Sequence, residues 1–295
     1  MSISASEVKK LRELTGCPMM DCKRALTEND GDMDRAVEAL RKKGIAGAQK
    51  RKERATGEGR VSGFLTPDLQ HAVLVELGCE TDFVAKNDTF RDLAERVARV
   101  VAEAATPPAD VTALLGLTPE GGGGSVEDLI QEQYQTLKEN MNLRRFVRLD
   151  TPGEDAGMMG LYVHFNGRVG TIVELSLSDA SLAGKEELKA LVKDLCMHVA
   201  HTAPLGLTRA DISPEIVEKE RAILSELEEV KKKPEKIRPK IVEGKLSKFY
   251  AENALLDQEF VKEKKVSIRK LLSRVSSEVS GEIGIRRFER MEIGT

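Results

Sequence analysis

The sequence predicts an α+β protein: a small helical module, then a core of two similar α+β halves, with a helical hairpin inserted in the second. Three observations carry this reading. A strand, a turn and a helix recur in the same order at an offset of 98 residues. A second match recurs at an offset of 142, so the second copy holds 44 extra residues. The segment before the first copy has helical spacing instead of alternation.

Residues 4 to 50 read as three short helices. Ser4 or Ser6 caps the first, with Val8, Leu11 and Leu14 as its apolar stripe. Thr15-Gly16-Cys17-Pro18 ends it. The second fits Met19 to Glu28, with Met20, Ala25 and Leu26 inward. Asn29 to Asp32 is a turn. The third fits Met33 to Lys43, with Gly44 as its stop.

Between Arg41 and Arg54 lie seven basic residues (41, 42, 43, 50, 51, 52 and 54) and one acid, Glu53. A nucleic-acid patch and a solvated linker both fit. The linker is favoured, because no aromatic is interleaved to stack on bases.

The repeat follows. Ala72-Val-Leu-Val-Glu-Leu77 matches Gly170-Thr-Ile-Val-Glu-Leu175. At the same offset Phe90, Leu93, Val97 and Val101 pair with Leu188, Leu191, Leu195 and Val199. Asp88 is positioned to cap the first helix, and the second spans about Lys185 to His201. Upstream, Val61 to Leu65 and Gly160 to Phe165 each form a hairpin with the following strand, the second turning at Asn166-Gly167. Ser125 to Ile130 and Leu143-Arg-Arg-Phe146 match Ser267 to Leu272 and Ile285-Arg-Arg-Phe288, both at 142. Each copy thus closes with a Ser-capped helix and a return strand. The sequence leaves open whether the halves share one sheet or pack back to back.

The extra residues lie between Ala200 and Ser267. Pro214 starts a helix with Val217, Leu224, Leu227 and Val230 along one edge, ended by Lys231 to Pro234. A second runs from about Pro239 to Leu255. The narrow stripe and heavy charge predict a protruding antiparallel coiled coil. The domain division expected is 1–50, a linker 51–59, 60–150, then 151–212 with 259–295, and the insertion 213–258.

Composition limits function. Lys and Arg total 46 against 49 Asp and Glu, a formal net charge of −3, which argues against a dedicated, strongly basic nucleic-acid binder. No apolar run approaches the roughly 20 residues of a membrane span. With four cysteines and no export signal, a reducing cytoplasm is the expected home. Cys17 and Cys22 lack redox or zinc spacing. His198 and His201 lie one turn apart without a metalloprotease glutamate, and Gly121 to Gly124 lack the Lys-Ser/Thr of a phosphate loop. No metal, no cofactor and no catalytic residue is expected.

The copies diverge after the shared Val-Glu-Leu. Where the first has Asp82-Phe83, the second has Ala180-Ser181. Two readings stand here. An acid and an aromatic on a strand-to-helix loop can reach out from a rigid base. Alternatively, Thr81 or Asp82 caps a short turn and Phe83 packs beneath it.

Thr15-Gly16 with Met19-Met20-Asp21-Cys22-Lys23, then Thr81-Asp82-Phe83-Val84-Ala85, resembles the bacterial elongation factor Ts family, guanine-nucleotide exchange factors of the translation GTPase EF-Tu. The likeness extends to Asn142 to Arg145, Tyr162 to His164, Met197 to Ala200, Val217 to Glu220 and Val242 to Gly244. Pro18 stands where the family commonly has Gly, and Leu137-Lys138 where it frequently has Ile-Gly. The resemblance implies a ubiquitin-associated-like first module, a two-part core and a coiled-coil arm. It implies binding to EF-Tu, GDP-bound and nucleotide-free, with a homodimer or a 2:2 complex possible and no nucleotide bound directly. Thr81, Asp82, Phe83 and Val84 would wedge into EF-Tu and disturb its Mg²⁺ site. Met19, Met20, Asp21, Lys23, Leu137 and His164 would contact it. An RNA-binding, translation-associated factor using residues 41–54 is the alternative.

Overall fold

Three helices open the chain in the computed structural model, which describes residues 3–49, 55–119, 121–153 and 156–295. Helix α1 (Ala5–Thr15) starts at Ser4, whose side chain and Glu7 form a reciprocal capping box, and ends at Gly16 with φ +66°. Helices α2 (Met19–Glu28) and α3 (Met33–Gln49) fold against it around Leu11, Cys22, Leu26 and Leu40. Three expectations are corrected. Leu14 is not part of the buried stripe of α1 but is 63% exposed. Met20 does not point inward and is 73% exposed. Gly44 does not stop α3, which continues to Gln49. This glycine instead permits close approach: a Cβ there would lie 2.6 Å from Gln135 Nε2. Gln135 is buried and donates to the Leu40 carbonyl, joining the module to the core.

The first half is an antiparallel sheet, β1 (Glu58–Leu65), β2 (His71–Cys79) and β3 (Asn142–Asp150), with β2 in the middle. Between β2 and β3 run α4 (Asp82–Ala85), α5 (Asp88–Glu103), α6 (Val111–Gly116) and α7 (Val126–Leu137). The cap of α5 is Asn87, not Asp88; its side chain accepts from the Thr89 N–H. The second half repeats the plan with β4 (Gly157–Val163), β5 (Val169–Leu177), a 3₁₀ turn at Ala180–Gly184 and α8 (Glu186–Thr202). Then come α9 (Pro214–Glu226), α10 (Glu228–Lys231), α11 (Arg238–Asn253), α12 (Ile268–Val279) and β6 (Ile283–Glu292). Its sheet order is β4-β5-β6.

The halves keep separate sheets and pack them face to face. Alternation sorts the side chains. Val73, Val75 and Leu77 face α5 and α7, and Val173 and Leu175 face α8 and α12. Ala72, Leu74, Met159 and Ile172 meet between the sheets. Gly170 permits this contact, since a Cβ there would sit 2.6 Å from Val61 and 2.7 Å from Leu74.

The contacts between halves are reciprocal. The Val61 N–H donates to the Gly167 carbonyl at 2.7 Å, and the Met159 N–H to the Leu69 carbonyl at 2.8 Å. Arg145 donates to the Glu292 carbonyl at 2.7 Å, and Arg287 to the Asp150 carbonyl at 2.8 Å. Each pair converts into the other by the repeat offsets. Contacts that exchange in this way define a local two-fold relation between the halves.

The insertion builds its own small core. Val217 and Leu224 of α9 pack with Val242 and Leu246 of α11. The single first helix expected to about Val230 is broken at Leu227, whose ψ of 130° is extended, and Val230 is buried beyond the break. The chain is back in the core by Leu255, which joins the second half's cluster with Phe260.

Candidate functional site

Strand β2 delivers the chain into α4. The Thr81 hydroxyl caps α4 by accepting from the Val84 N–H at 3.4 Å. The entry is held from outside by Glu139, just past α7. One Glu139 oxygen accepts the Glu80 and Thr81 N–H groups at 3.0 Å each, and the other accepts the Thr81 hydroxyl at 2.5 Å. Glu80 returns the contact, accepting the Asn140 N–H at 2.7 Å. A carboxylate taking three donors is a strong local brace. Beneath it, burial and the nearby Glu139 carboxylate push the Cys79 thiol up to about 12, so it stays protonated and unreactive.

On this base the four loop residues take different places. Thr81 is half-buried and structural. Val84 is buried in the first half's core, like its repeat equivalent Leu182. Asp82 is exposed and bonds the Lys86 ammonium at 2.7 Å, which holds its carboxyl below the usual carboxylate range. Phe83 is 82% exposed. The helix-entry reading therefore holds for Thr81, but Phe83 does not pack beneath the turn. Its equivalent Ser181 is exposed as well, so neither half needs a core side chain there.

The structure brings most of the other singled-out residues to the same brace. Asp21 reaches Lys138 at 3.2 Å and Lys43 at 3.0 Å, and also pairs with Arg24. Its side chain is only 17% exposed, and the lysine bonds lower its pKa against the cost of burial. Asp21 thus ties the first module to the core. Met19, Met20 and Lys23 stand exposed beside it on α2. Leu137 is half-buried at the edge of the first half's core. Lys138 has φ +61° and closes α7, a left-handed position that suits the glycine frequent there in the resembling family. Contacts run from Asp21 on α2 to Lys138, and from Glu139 and Asn140 to Glu80 and Thr81 at the foot of the Phe83 turn.

His164 lies elsewhere, on the β4–β5 turn. It bonds the Tyr162 hydroxyl at 2.7 Å and packs against Phe165 with ring centroids 4.5 Å apart and planes inclined by 52°. Sequence reasoning missed Glu139 and Phe165. Glu139 carries no motif, and in the sequence Phe165 reads only as the end of a strand. Of the basic run, Arg41, Lys42 and Lys43 are paired with Glu132, Glu38 and Asp21. Residues 50 to 54 lie outside the described residues.

Known proteins give a concordant answer. The family model for Elongation factor TS matches residues 80–295. The chain is 39% identical to Elongation factor Ts of Lawsonia intracellularis, covering 100% of this chain and 99% of that one. It is 40% identical to that of Syntrophotalea carbinolica, over 100% and 94%. It is 41% identical to that of Clostridium perfringens strain 13, over 99% and 93%. Among the described residues no helix is long and apolar enough to cross a membrane.

Proposed function

The chain belongs to the elongation factor Ts family, and on that premise we propose that it is the guanine-nucleotide exchange factor of EF-Tu. The observation that carries this reading is the exposed Phe83 on a turn braced by Glu139. A protein that performs no covalent chemistry still accelerates GDP release if it binds the nucleotide-free GTPase better than the GDP-bound one. Reciprocity then makes GDP bind more weakly when the factor is present. Each tenfold loss of GDP affinity needs about 1.4 kcal/mol of differential binding.

In this reading Phe83 wedges between helices of EF-Tu. An aromatic seated in a partner's pocket is a strong anchor. Asp82 brings a carboxylate toward the Mg²⁺ that bridges GDP and the GTPase, and so disturbs it. Thr81 and Val84 hold the turn from inside. The ubiquitin-associated-like module, residues 1–50, docks through Met19, Met20 and Lys23, with Asp21 fixing its orientation. Residues 51–59 link it to the core subdomains 60–150 and 151–212 with 259–295. His164 makes a separate contact from the second half, and residues 213–258 form the coiled-coil arm.

The test is release of labelled GDP from purified EF-Tu with and without the factor. Stimulation at substoichiometric amounts supports exchange. Binding without stimulation would leave only an adaptor.

A further inference from the structure

Charge is sorted along the arm. Residues 231–240 form the turn between α10 and α11. They carry six basic residues (Lys231, Lys232, Lys233, Lys236, Arg238 and Lys240) and one acid, Glu235. The rest of the arm, 213–230 and 241–258, carries four basic residues and nine acids. A hairpin that needed only solubility would mix the signs throughout. The shaft does so, where Lys245 pairs with Glu229 and Arg221 with Glu243. The tip does not.

The tip is a held turn with outward lysines. Arg238 donates to the Lys231 and Lys233 carbonyls at 2.8 Å each, which fixes the backbone on either side of Lys232. Lys231 is paired with Glu226 at 2.6 Å. Lys232, Lys233, Lys236 and Lys240 are exposed and form no ion pair among the described residues. Of the acids nearby in sequence, Glu226 and Glu229 are held by Lys231 and Lys245. Only Glu228 and Glu235 are left to offset the four lysines.

We propose that the tip of the arm binds the phosphate backbone of double-helical RNA. A lysine ammonium is a point charge on a flexible stem, which suits recurring phosphates and reads no sequence. A folded acidic partner calls for aromatic or arginine anchors at a buried centre. The tip has no aromatic, and its arginine is engaged with its own carbonyls. An anionic membrane calls for a broad apolar face, whereas Ile237 is the one large apolar side chain of the tip. Single-stranded RNA calls for stacking platforms, which are absent from residues 231–240. RNA is the polyphosphate among which a translation factor works, and membership of the family makes this chain one. The acidic shaft repels phosphate and confines the contact to the tip. This contact is separate from the Phe83 turn and does not rest on the exchange reading.

The test titrates the full-length factor into a short labelled RNA duplex of arbitrary sequence. Neutralising four phosphates predicts an affinity that falls about a hundredfold between about 50 and 200 mM salt. The variant Lys232→Gln/Lys233→Gln/Lys236→Gln/Lys240→Gln is expected to bind at least about tenfold more weakly at low salt, with a shallower salt slope. Its thermal midpoint should be unchanged, and Lys232→Gln/Lys233→Gln alone should lie between it and wild type. Lys9→Gln/Lys10→Gln, which removes charge from α1, should stay within about twofold of wild type. Wild-type affinity in the quadruple variant overturns the tip as the contact, and a loss in Arg51→Gln/Lys52→Gln would then move it to residues 41–54. Preference for polyglutamate over the duplex, or capture by phosphatidylserine vesicles without duplex binding, overturns RNA as the occupant. No duplex binding by wild type at low salt overturns the proposal outright. None of these outcomes depends on GDP release, so the exchange reading stands or falls separately.

Discussion

Glu76 and Glu174 stand at equivalent positions on the middle strands of the two sheets, and each is buried between two consecutive arginines. Glu76 bonds Arg144 and Arg145 at 2.7 Å each, and Glu174 bonds Arg286 and Arg287 at 2.6 Å each. Consecutive residues of a regular strand point to opposite faces. A bulge solves this: Glu76 pairs with Arg145 and Leu77 with Leu143, leaving Arg144 extra, and Arg286 is extra in the same way opposite Glu174 and Leu175. Both arginines of each pair then reach one carboxylate. Arg145 and Arg287 also span to the other sheet, so the clamps set how the halves pack.

Removing one partner of a buried ion pair leaves charge uncompensated. Glu174→Gln takes the acceptor from two part-exposed arginines and is therefore expected to lower stability by about 1–3 kcal/mol. Urea unfolding measures this as a fall in midpoint at unchanged slope. A change under about 1 kcal/mol would show that the clamp is replaceable by solvent.

The clamps also show what was legible in the sequence. The Glu and Arg-Arg pairs were visible as repeat matches at 98 and 142. That they touch was not, because equivalence between copies says nothing about contact within one. The doubled sheet-and-helix plan was legible since alternation, turn residues and helical spacing all repeat. The face-to-face packing was not, because Ala72, Leu74 and Ile172 read only as generic apolar residues. Gly44 was misread because a helix stop and a close helix approach ask for the same residue. Met20 was misread because helical spacing alone does not separate a core stripe from an exposed apolar patch. At the site, Phe83 was found by divergence between copies, whereas its brace Glu139 lies 56 residues beyond Phe83 and is joined to the turn only by the fold.

Glu139→Ala should act on the turn and not on the wedge. It removes the acceptor of three donors at residues 80 and 81. Maximal GDP release is expected to fall about tenfold, roughly 1.4 kcal/mol of lost positioning. Hydrogen exchange at Thr81 to Ala85 should rise in the same variant. Faster amide exchange with full activity would contradict the bracing role.

Acid should weaken the root of the arm. His198 is buried, its Nδ1 accepts the Val261 N–H at 3.3 Å, and its Nε2 lies 2.9 Å from the Gln258 oxygen. Burial lowers its pKa, so the folded state favours the neutral ring. The unfolded chain takes the proton first, near pH 6.5. Stability is then fully present above that pH and declines below it, by at most about 1.4 kcal/mol per pH unit for one proton. Melts from pH 7.5 to 5.5 should show this decline in wild type and a shallower one in His198→Gln. Equal slopes would place the titration elsewhere.

The arm should be dispensable for the core. Val217, Leu224, Val242 and Leu246 cluster with one another, while Leu255 belongs to the second half. Replacing residues 214–252 with a short Gly/Ser link is expected to keep one cooperative thermal transition. Maximal GDP release should stay within about threefold, a loss of under about 1 kcal/mol. Loss of the transition would make the arm part of the core. Exchange at background in a folded variant would make it a principal binding element.

In the exchange reading Phe83 acts on a partner and not on the fold. Release of labelled GDP from EF-Tu, measured with wild type and Phe83→Ala at matched saturation, tests it most directly. The predicted result is a fall in maximal stimulation of at least about tenfold, or about 1.4 kcal/mol, with circular dichroism and thermal midpoint unchanged. Undiminished stimulation by a correctly folded Phe83→Ala factor would remove Phe83 from the exchange machinery.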